Sequence, residues 1–465
     1  GYVDGVLPGN TASIVWSGLD YETTYYWYVI LNDSYEENKS ETWHFTTVPK
    51  PSVVYVDDDY NEATPGWGDT KFNKIQNAIN AVKEGGVVYV YEGVYKENIV
   101  INKKIDVVGE NKDTVIIEGD ETGDVVNISA NHVNISGFTI RNSSLEPIEP
   151  FPAGIKVYHA SNVKISDCLL LDNYAGILLL NTSNVIVTSN IVRDNEVDIF
   201  LQNSDKNIIS ENDCSNSNEG IWLDNSHNNS ILDNNCSGND VGIAIDYSNN
   251  NIISHCILDN LDGINIFHSN NNTISYCTIS NNLMGIQIET NSANNSILYS
   301  TISNNNAGIR IYNSENVSVY YCNIINNLNG TVITGSRYCE IHYNNIYGNK
   351  YYGMQNTLSD TKYLVEATRN YWGSADGPYH LTQNPDGKGD NITDNILFIP
   401  WFSSPIKIAI EKSIHAGMND IEVVNETDVH LSIETIKEAI IEKIPVKKQE
   451  NAQAAEEAYN SVLGV

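Results

Sequence analysis

A two-residue step, a small residue followed by an aliphatic one, recurs ten times at nearly constant spacing. The copies are Gly154-Ile155, Gly176-Ile177, Asp198-Ile199, Gly220-Ile221, Gly242-Ile243, Gly263-Ile264, Gly285-Ile286, Gly308-Ile309, Gly330-Thr331 and Gly353-Met354, at intervals of 22, 22, 22, 22, 21, 22, 23, 22 and 23 residues. A period held this tightly means units that bury their apolar faces only against their neighbours, and it excludes an ordinary globular core here. With the Gly as position zero, positions 1 and 3 are apolar (Ile177 and Leu179, Ile243 and Ile245, Ile286 and Ile288), and so is position 11 (Ile165, Val187, Ile209, Ile253, Ile274). Bursts of period two separated by Asn/Ser turns, with no helical spacing, predict three short strands per coil. The expected fold is all-β: a parallel β-helix whose coils stack at about 4.8 Å.

Asparagine supplies the turns: it accounts for 65 of the 465 residues and concentrates between positions 180 and 350. Its side chain satisfies turn amides and it tolerates the left-handed backbone region. One turn column reads Cys168, Asn190, Asn212, Asn234, Cys256, Cys277, Ser300, Cys322 and Asn345, and is expected to point inward as a hydrogen-bonded ladder in which Cys fills the same slot. Cys214 and Cys236 fall in the neighbouring apolar column, so the seven cysteines read as free core residues. Their odd number argues against a disulfide framework, and no CxxC or HxxxH spacing calls for zinc.

Acidic residues outnumber basic ones 59 to 26, for a net charge of −33. That excludes general nucleic-acid binding, which needs clustered cations. No apolar run approaches the roughly 18 to 20 residues of a membrane span. With Gly1 first and no basic or apolar leader, the chain reads as a processed or truncated form of an extracellular, cell-surface protein.

Upstream of the repeats, Phe72, Ile75, Ala78, Ile79 and Val82 predict a helix over 69–82 that covers the open first coil, within a lead-in segment 53–86. Short strands continue from 87, an insertion at 141–152 carrying three prolines and Phe151 interrupts them, and the β-helix is expected to run to 403 with a cap at 370–403. Beyond it, Ile433, Ile436, Ala439, Ile440 and Ile444 predict a helical tail within 404–465.

The stretch VYVDDDYNEATPGWGDTKFNKIQNAINAVKEGGVVYVYEGVYKENIVINKKIDVVGE, the Gly-Ile/Asn/Cys rungs and the terminal NYWGSADGP and NPDGKGDNITDNILFIPWF together resemble right-handed parallel β-helix proteins. The nearest group is the NosD-like "carbohydrate-binding and sugar-hydrolysis" branch of archaeal cell surfaces, over residues 53–403. The resemblance implies the fold but not one function, because such proteins include lyases, hydrolases, epimerases, adhesins and structural proteins. Residues 1–48, with TASIVWSGL, TTYYWYVILND and SETWHFTT, resemble the last three strands of a fibronectin type III sandwich. The missing strands leave an edge that another chain could complete.

Alternation turns positions 2 and 4 of each repeat outward. Phe200, Trp222, Phe267 and Tyr312, with His268 at the next corner, then form an aromatic ribbon beside Asp224 and Asp246, which suits a carbohydrate-binding face. Asp224 and Asp246 fall on successive rungs, roughly 5 Å apart, near the spacing of a retaining glycosidase pair. With Glu289 and Arg310 they are the candidate catalytic set, although no complete lyase, polygalacturonase or epimerase motif is present. The competing reading packs Leu178, Leu180, Phe200 and Trp222 under the 141–152 insertion or a neighbouring molecule.

No cofactor is required by this pattern. Calcium could be held by the oxygen-rich loop with Asp386, Asp390 and Asp394, or by Asp57, Asp58 and Asp59, although neither has EF-hand spacing. His159, His227, His255 and His268 are scattered over the rungs and define no copper set. Fourteen glycosylation sequons stand at Asn32, Asn38, Asn127, Asn134, Asn142, Asn181, Asn228, Asn235, Asn271, Asn294, Asn316, Asn329, Asn391 and Asn425, a modest excess over chance. The expectation is a structural subunit of a surface layer, sheath or filament, associating with itself or other surface proteins through its terminal segments. The alternative is a polysaccharide-binding or polysaccharide-cleaving module that uses the outward Gly-Ile face.

Overall fold

The computed structural model describes residues 6, 10–16, 18–32, 36–146, 149, 151–358 and 360–408. The expected helical tail lies outside this range from residue 409 onward, as does Asn425. From Val53 the chain winds as a parallel β-solenoid with three strands per coil. One sheet has sixteen strands and a second, carrying the Gly-Ile steps, has twelve. The third face is split into six-stranded and five-stranded stretches, bridged through Asp213, Asn235 and Ile257.

Every neighbouring pair in the Gly-Ile sheet is parallel and in register, so equivalent residues stack: Ile221 on Ile243, Ile264, Ile286 and Ile309. This turns the sequence columns into one continuous core of Ile, Val and Leu, all of these isoleucines being fully buried. All seven cysteines are buried and free, and burial pushes the thiols of Cys168, Cys322 and Cys339 up to about 12.

Polar ladders run through the corners, and the structure contains more of them than the one column read from sequence. In that column the backbone N–H of Cys168 donates to the Asn190 side chain, Asn190 to Asn212, and Asn212 to Asn234. At its far end the member is Asn344, which accepts from Cys322 and donates to Asn370, in place of the expected Asn345. Asn345 is the next residue and turns the other way, to Asn323 and Ile406. A second Asn ladder runs from Asn207 through Asn229, Asn251 and Asn272 to Asn295. A third runs from Asn173 through Asn195, Ser217 and Asn239 onward to Asn349. A serine ladder at another corner links Ser204, Ser226, Ser248, Ser269 and Ser292. Each satisfies buried amides that would otherwise cost a few kcal/mol.

The outer corners adopt left-handed backbone. Asn181, Asn228, Asn271, Asn294 and Asn316 have φ between 55° and 58°, and Asn142 has φ 64°. The backbone alone therefore accounts for asparagine at these six sequons. Tyr276, Tyr299, Tyr321 and Tyr343 hold the same conformation, unusual for bulky residues, and stack ring on ring at 5.1, 5.1 and 5.4 Å. That stacking offsets the backbone cost.

The covering helix is shorter than the pattern suggests, Ile75–Ala81, with Ile75, Ala78 and Ile79 buried against the first coil. Phe72 lies instead in the strand Lys71–Phe72, which joins the sixteen-stranded sheet. The helix has no cap of its own. The Glu97 carboxylate, one coil on, accepts from the N–H groups of Ile75 (2.8 Å) and Gln76 (3.1 Å). Before the solenoid, Thr24–Trp27 pairs antiparallel with Trp43–Thr46, and Ile30–Asn32 with Glu37–Lys39. Among the described residues no helix is long and apolar enough to cross a membrane.

Candidate functional site

The face in question is the outward side of the Gly-Ile sheet, and its columns depart from simple alternation. In Glu219–Asp224 both Gly220 and Ile221 turn inward, so Glu219, Trp222 and Asp224 all face outward. The break is possible because glycine has no Cβ. At Gly220 a Cβ would sit 2.6 Å from the Gly242 carbonyl oxygen, and comparable contacts recur up the column. Three outward columns result: the residue before the glycine, position 2 and position 4.

Along this face the environment changes in three steps. In the first coils Lys156, Leu178, Leu180 and Phe200 are buried. Lys156 Nζ lies 2.7 Å from Asp124 Oδ1. Phe151, at the end of the insertion, stacks on Tyr174 (5.2 Å, 3°) and tilts against Phe200 (5.9 Å). Phe200, expected as an exposed sugar platform, is therefore a core residue of a small apolar cluster with Ala153, Ala175, Leu178, Leu180 and Val197. Of the ribbon expected to pack under the insertion, Phe200 touches Phe151, Leu178 and Leu180 are buried in the same cluster, and Trp222 packs against it partly exposed.

Next comes an acidic stretch. Trp222 stacks on Phe200 at 4.4 Å and 9°, and its indole Nε1–H donates to Asp246 Oδ2 at 2.9 Å. Asp224 pairs in register with Asp246, which confirms their placement on successive rungs. Burial pushes the Asp246 carboxyl up, the indole bond pulls it back, and the neighbouring Asp224 charge raises it further. Glu219, which strict alternation had turned inward, belongs to the site. Burial, then Asp246 and Glu196, push its carboxyl up to about 7. Its Oε2 and the Oδ1 of Asp262 are shielded from solvent and have no hydrogen-bond partner. Burial is also the main cause of the raised Asp262 carboxyl.

The far end is aromatic and half-exposed. Phe267 and His268 pack with Tyr247, which is 53% exposed and stacks on His268 at 5.1 Å. Arg310 is the only cation in the three columns from Glu219 to Tyr312, and it is engaged: 2.9 Å from Glu289, 3.2 Å from the Gln287 oxygen, and 5.5 Å from the Tyr312 ring.

The Glu219 environment sets a pH dependence. Its folded pKa of about 7 lies above the unfolded value, so its stabilising contribution is complete below about pH 4 and is lost as pH rises through 7. Glu219→Gln is expected to leave the thermal midpoint unchanged near pH 4 and raise it near pH 8. An equal shift at both pH values would mean that the carboxyl is not held protonated by its surroundings.

Of the loop carboxylates expected to hold calcium, Asp390 and Asp394 have protein partners. Asp390 ends the third ladder, accepting from the N–H groups of Gly348 and Asn349 (3.0 and 2.9 Å) and the Asn349 side chain (2.8 Å). Asp394 is 3.3 Å from His380 Nε2, and Asp386 is exposed. Among the described residues the only three such groups within mutual ligand reach are Asp57, Asp58 and Asp59.

Residues 77–260 match the model of the family described as periplasmic copper-binding protein (NosD), and residues 259–369 match the right-handed β-helix region. The chain is a NosD-like right-handed β-helix protein. The described part of this β-helix protein does not fit the copper in that family's description. Copper favours imidazole and sulfur ligands, whereas every thiol is in the core and the one cluster is of carboxylates. No curated protein sequence matches the chain. Among solved structures it is similar to a surface adhesin of Streptococcus pneumoniae, with 15% identity, 66% of this chain and 93% of that one covered, and a TM-score of 0.53. It is also similar to the A-module of a mannuronan C-5 epimerase of Azotobacter vinelandii (17% identity, 72% and 95% covered, TM-score 0.48). A family 28 exopolygalacturonase of Yersinia enterocolitica gives 13% identity, 82% and 84% covered, and a TM-score of 0.47. At these identities the likeness is one of fold.

Proposed function

We propose that this β-helix binds neutral polysaccharide along the Gly-Ile face from Trp222 to Tyr312, outside the cytoplasm. The observation that carries the reading is the contrast along one sheet. Its apolar third is buried in a cluster that Phe151 packs against, whereas Trp222, Phe267 and Tyr312 stay partly exposed among hydroxyl-accepting carboxylates and amides. Rings supply faces for pyranose C–H surfaces, and the polar rim supplies orientation. Glu219, Asp224, Asp246, Asp262 and Glu289 stand against the single, paired Arg310, so a polyuronate would be repelled while hydroxyls are accepted. The surface-lattice role expected from the sequence rested on the terminal segments, and no comparable feature favours it.

The test is affinity electrophoresis through gels containing mannan, xyloglucan or hydroxyethylcellulose, with alginate as the anionic control. Retardation by a neutral polymer, absent from alginate and lost in Trp222→Ala, is the expected result. Equal mobility in all gels would overturn the reading. A second reading, hydrolysis of the bound chain, is favoured by Glu219, whose carboxyl at about 7 suits a general acid near neutrality. Glu219→Gln would then retain retardation and lose the release of reducing ends, whereas a wild type that releases none would exclude it.

A further inference from the structure

Trp222 has one face against Phe200 and stays partly exposed. It lies nearly parallel to the fully buried Phe200, so its second face looks along the position-2 column toward the next coils. The residues there, in register, are Ala244 and then Asn265. Ala244 is the smallest side chain at position 2 from Lys156 to Arg310, and it opens a notch in the column between Trp222 and Asn265. Two coils span roughly 10 Å. A sugar ring contacting one surface on each side needs about 3.5–4.0 Å per contact, so the notch is one pyranose thick.

The notch has polar walls. Asp246, one coil on from Trp222, is held there by the indole N–H. Glu219 flanks the other side, close enough for Asp246 to raise its carboxyl, with its Oε2 turned away from solvent. Asp262, with its own unpartnered oxygen, follows Glu219 two coils on in the same column. Behind Trp222 the path ends, because Phe200 fills the column and Phe151 packs on the cluster that holds it and Leu178.

Resting on the polysaccharide reading above, we infer that the Trp222–Ala244 notch is a terminal subsite: it takes the end sugar of a neutral chain, whose remainder runs toward Tyr312. The face is thus a reader of chain ends, with a hydroxyl of the last residue donated to Asp246 and its ring laid against the indole.

The experiment uses the full chain with short and long fractions of mannan, xyloglucan and hydroxyethylcellulose at equal mass. End recognition makes retardation follow the number of chain ends, so the short fraction retards more. Ala244→Phe, which fills the notch, is expected to weaken binding by about tenfold or more. An unchanged far-UV circular dichroism spectrum and melting midpoint show that the phenylalanine variant is folded. Retardation that follows polymer mass, or a folded Ala244→Phe that binds as wild type, overturns the terminal subsite and leaves the broader face reading standing. A wild type retarded by none of the three overturns both.

Discussion

Asn212→Ala is expected to lower stability by about 3–5 kcal/mol, as the sum of orphaned buried groups and a small cavity. The Asn212 side-chain oxygen accepts from both the backbone N–H and the side-chain amide of Asn190 (3.1 and 3.0 Å). Its own amide donates to the Val187 carbonyl and to Asn234, both at 3.0 Å. Alanine removes all four bonds where water does not reach. Because coils are coupled mainly to their neighbours, the loss also weakens the stacking of the coils above and below. Asn212→Cys is expected to cost clearly less, since Cys256 and Cys277 occupy the same column and point their thiols at carbonyls of the preceding turn. Urea unfolding followed by far-UV circular dichroism measures both. Equal midpoints for wild type and Asn212→Ala would show that the ladder contributes nothing net.

Gly285→Ala is the second large effect, at about 2–4 kcal/mol by the usual cost of overpacking against groups that cannot retreat. Its backbone is not left-handed, so the glycine is required by proximity alone. A Cβ there would lie 2.4 Å from the Gly308 carbonyl oxygen and 3.1 Å from the Asn305 amide. Both belong to the next coil, and both are tied into the sheet or the ladder. Gly123→Ala is the matched control and should change little, because a Cβ added at Gly123 meets nothing within 4 Å. A Gly285→Ala protein as stable as wild type would mean that the coils can separate locally without penalty.

The coil architecture was legible because a 22-residue period with inward Ile at fixed positions has one inexpensive solution, and in-register stacking makes column and structure the same object. The ladder was legible for the same reason, up to Asn344: the interval from Cys322 stays at 22, but adjacent asparagines at 344 and 345 look alike until the corner geometry separates them. Two features of the face were hidden. Phe200 reads as outward from its column, and it is, but the insertion that covers it comes from some fifty residues earlier and has no period to follow. Glu219 was missed because alternation breaks at Gly220, where the close approach of Gly242 turns two successive residues inward. Nine glycines over ten coils, with Asp198 the exception, were the available signal, since such glycines mark places where backbones meet and regular alternation fails. Asp390 reads as a loop carboxylate in sequence, yet the last Asn of a ladder needs an acceptor, and Asp390 is that acceptor.

The central claim is that the Gly-Ile face between Trp222 and Tyr312 holds a neutral glycan. Its most direct test is a crystal structure of the protein with a fragment of whichever neutral polysaccharide retards it. The account predicts sugar density over Trp222, Ala244 and Asn265 that continues toward Phe267 and Tyr312. Density confined to the other two sheets or to the N-terminal strand pairs, with this face bare, would contradict it.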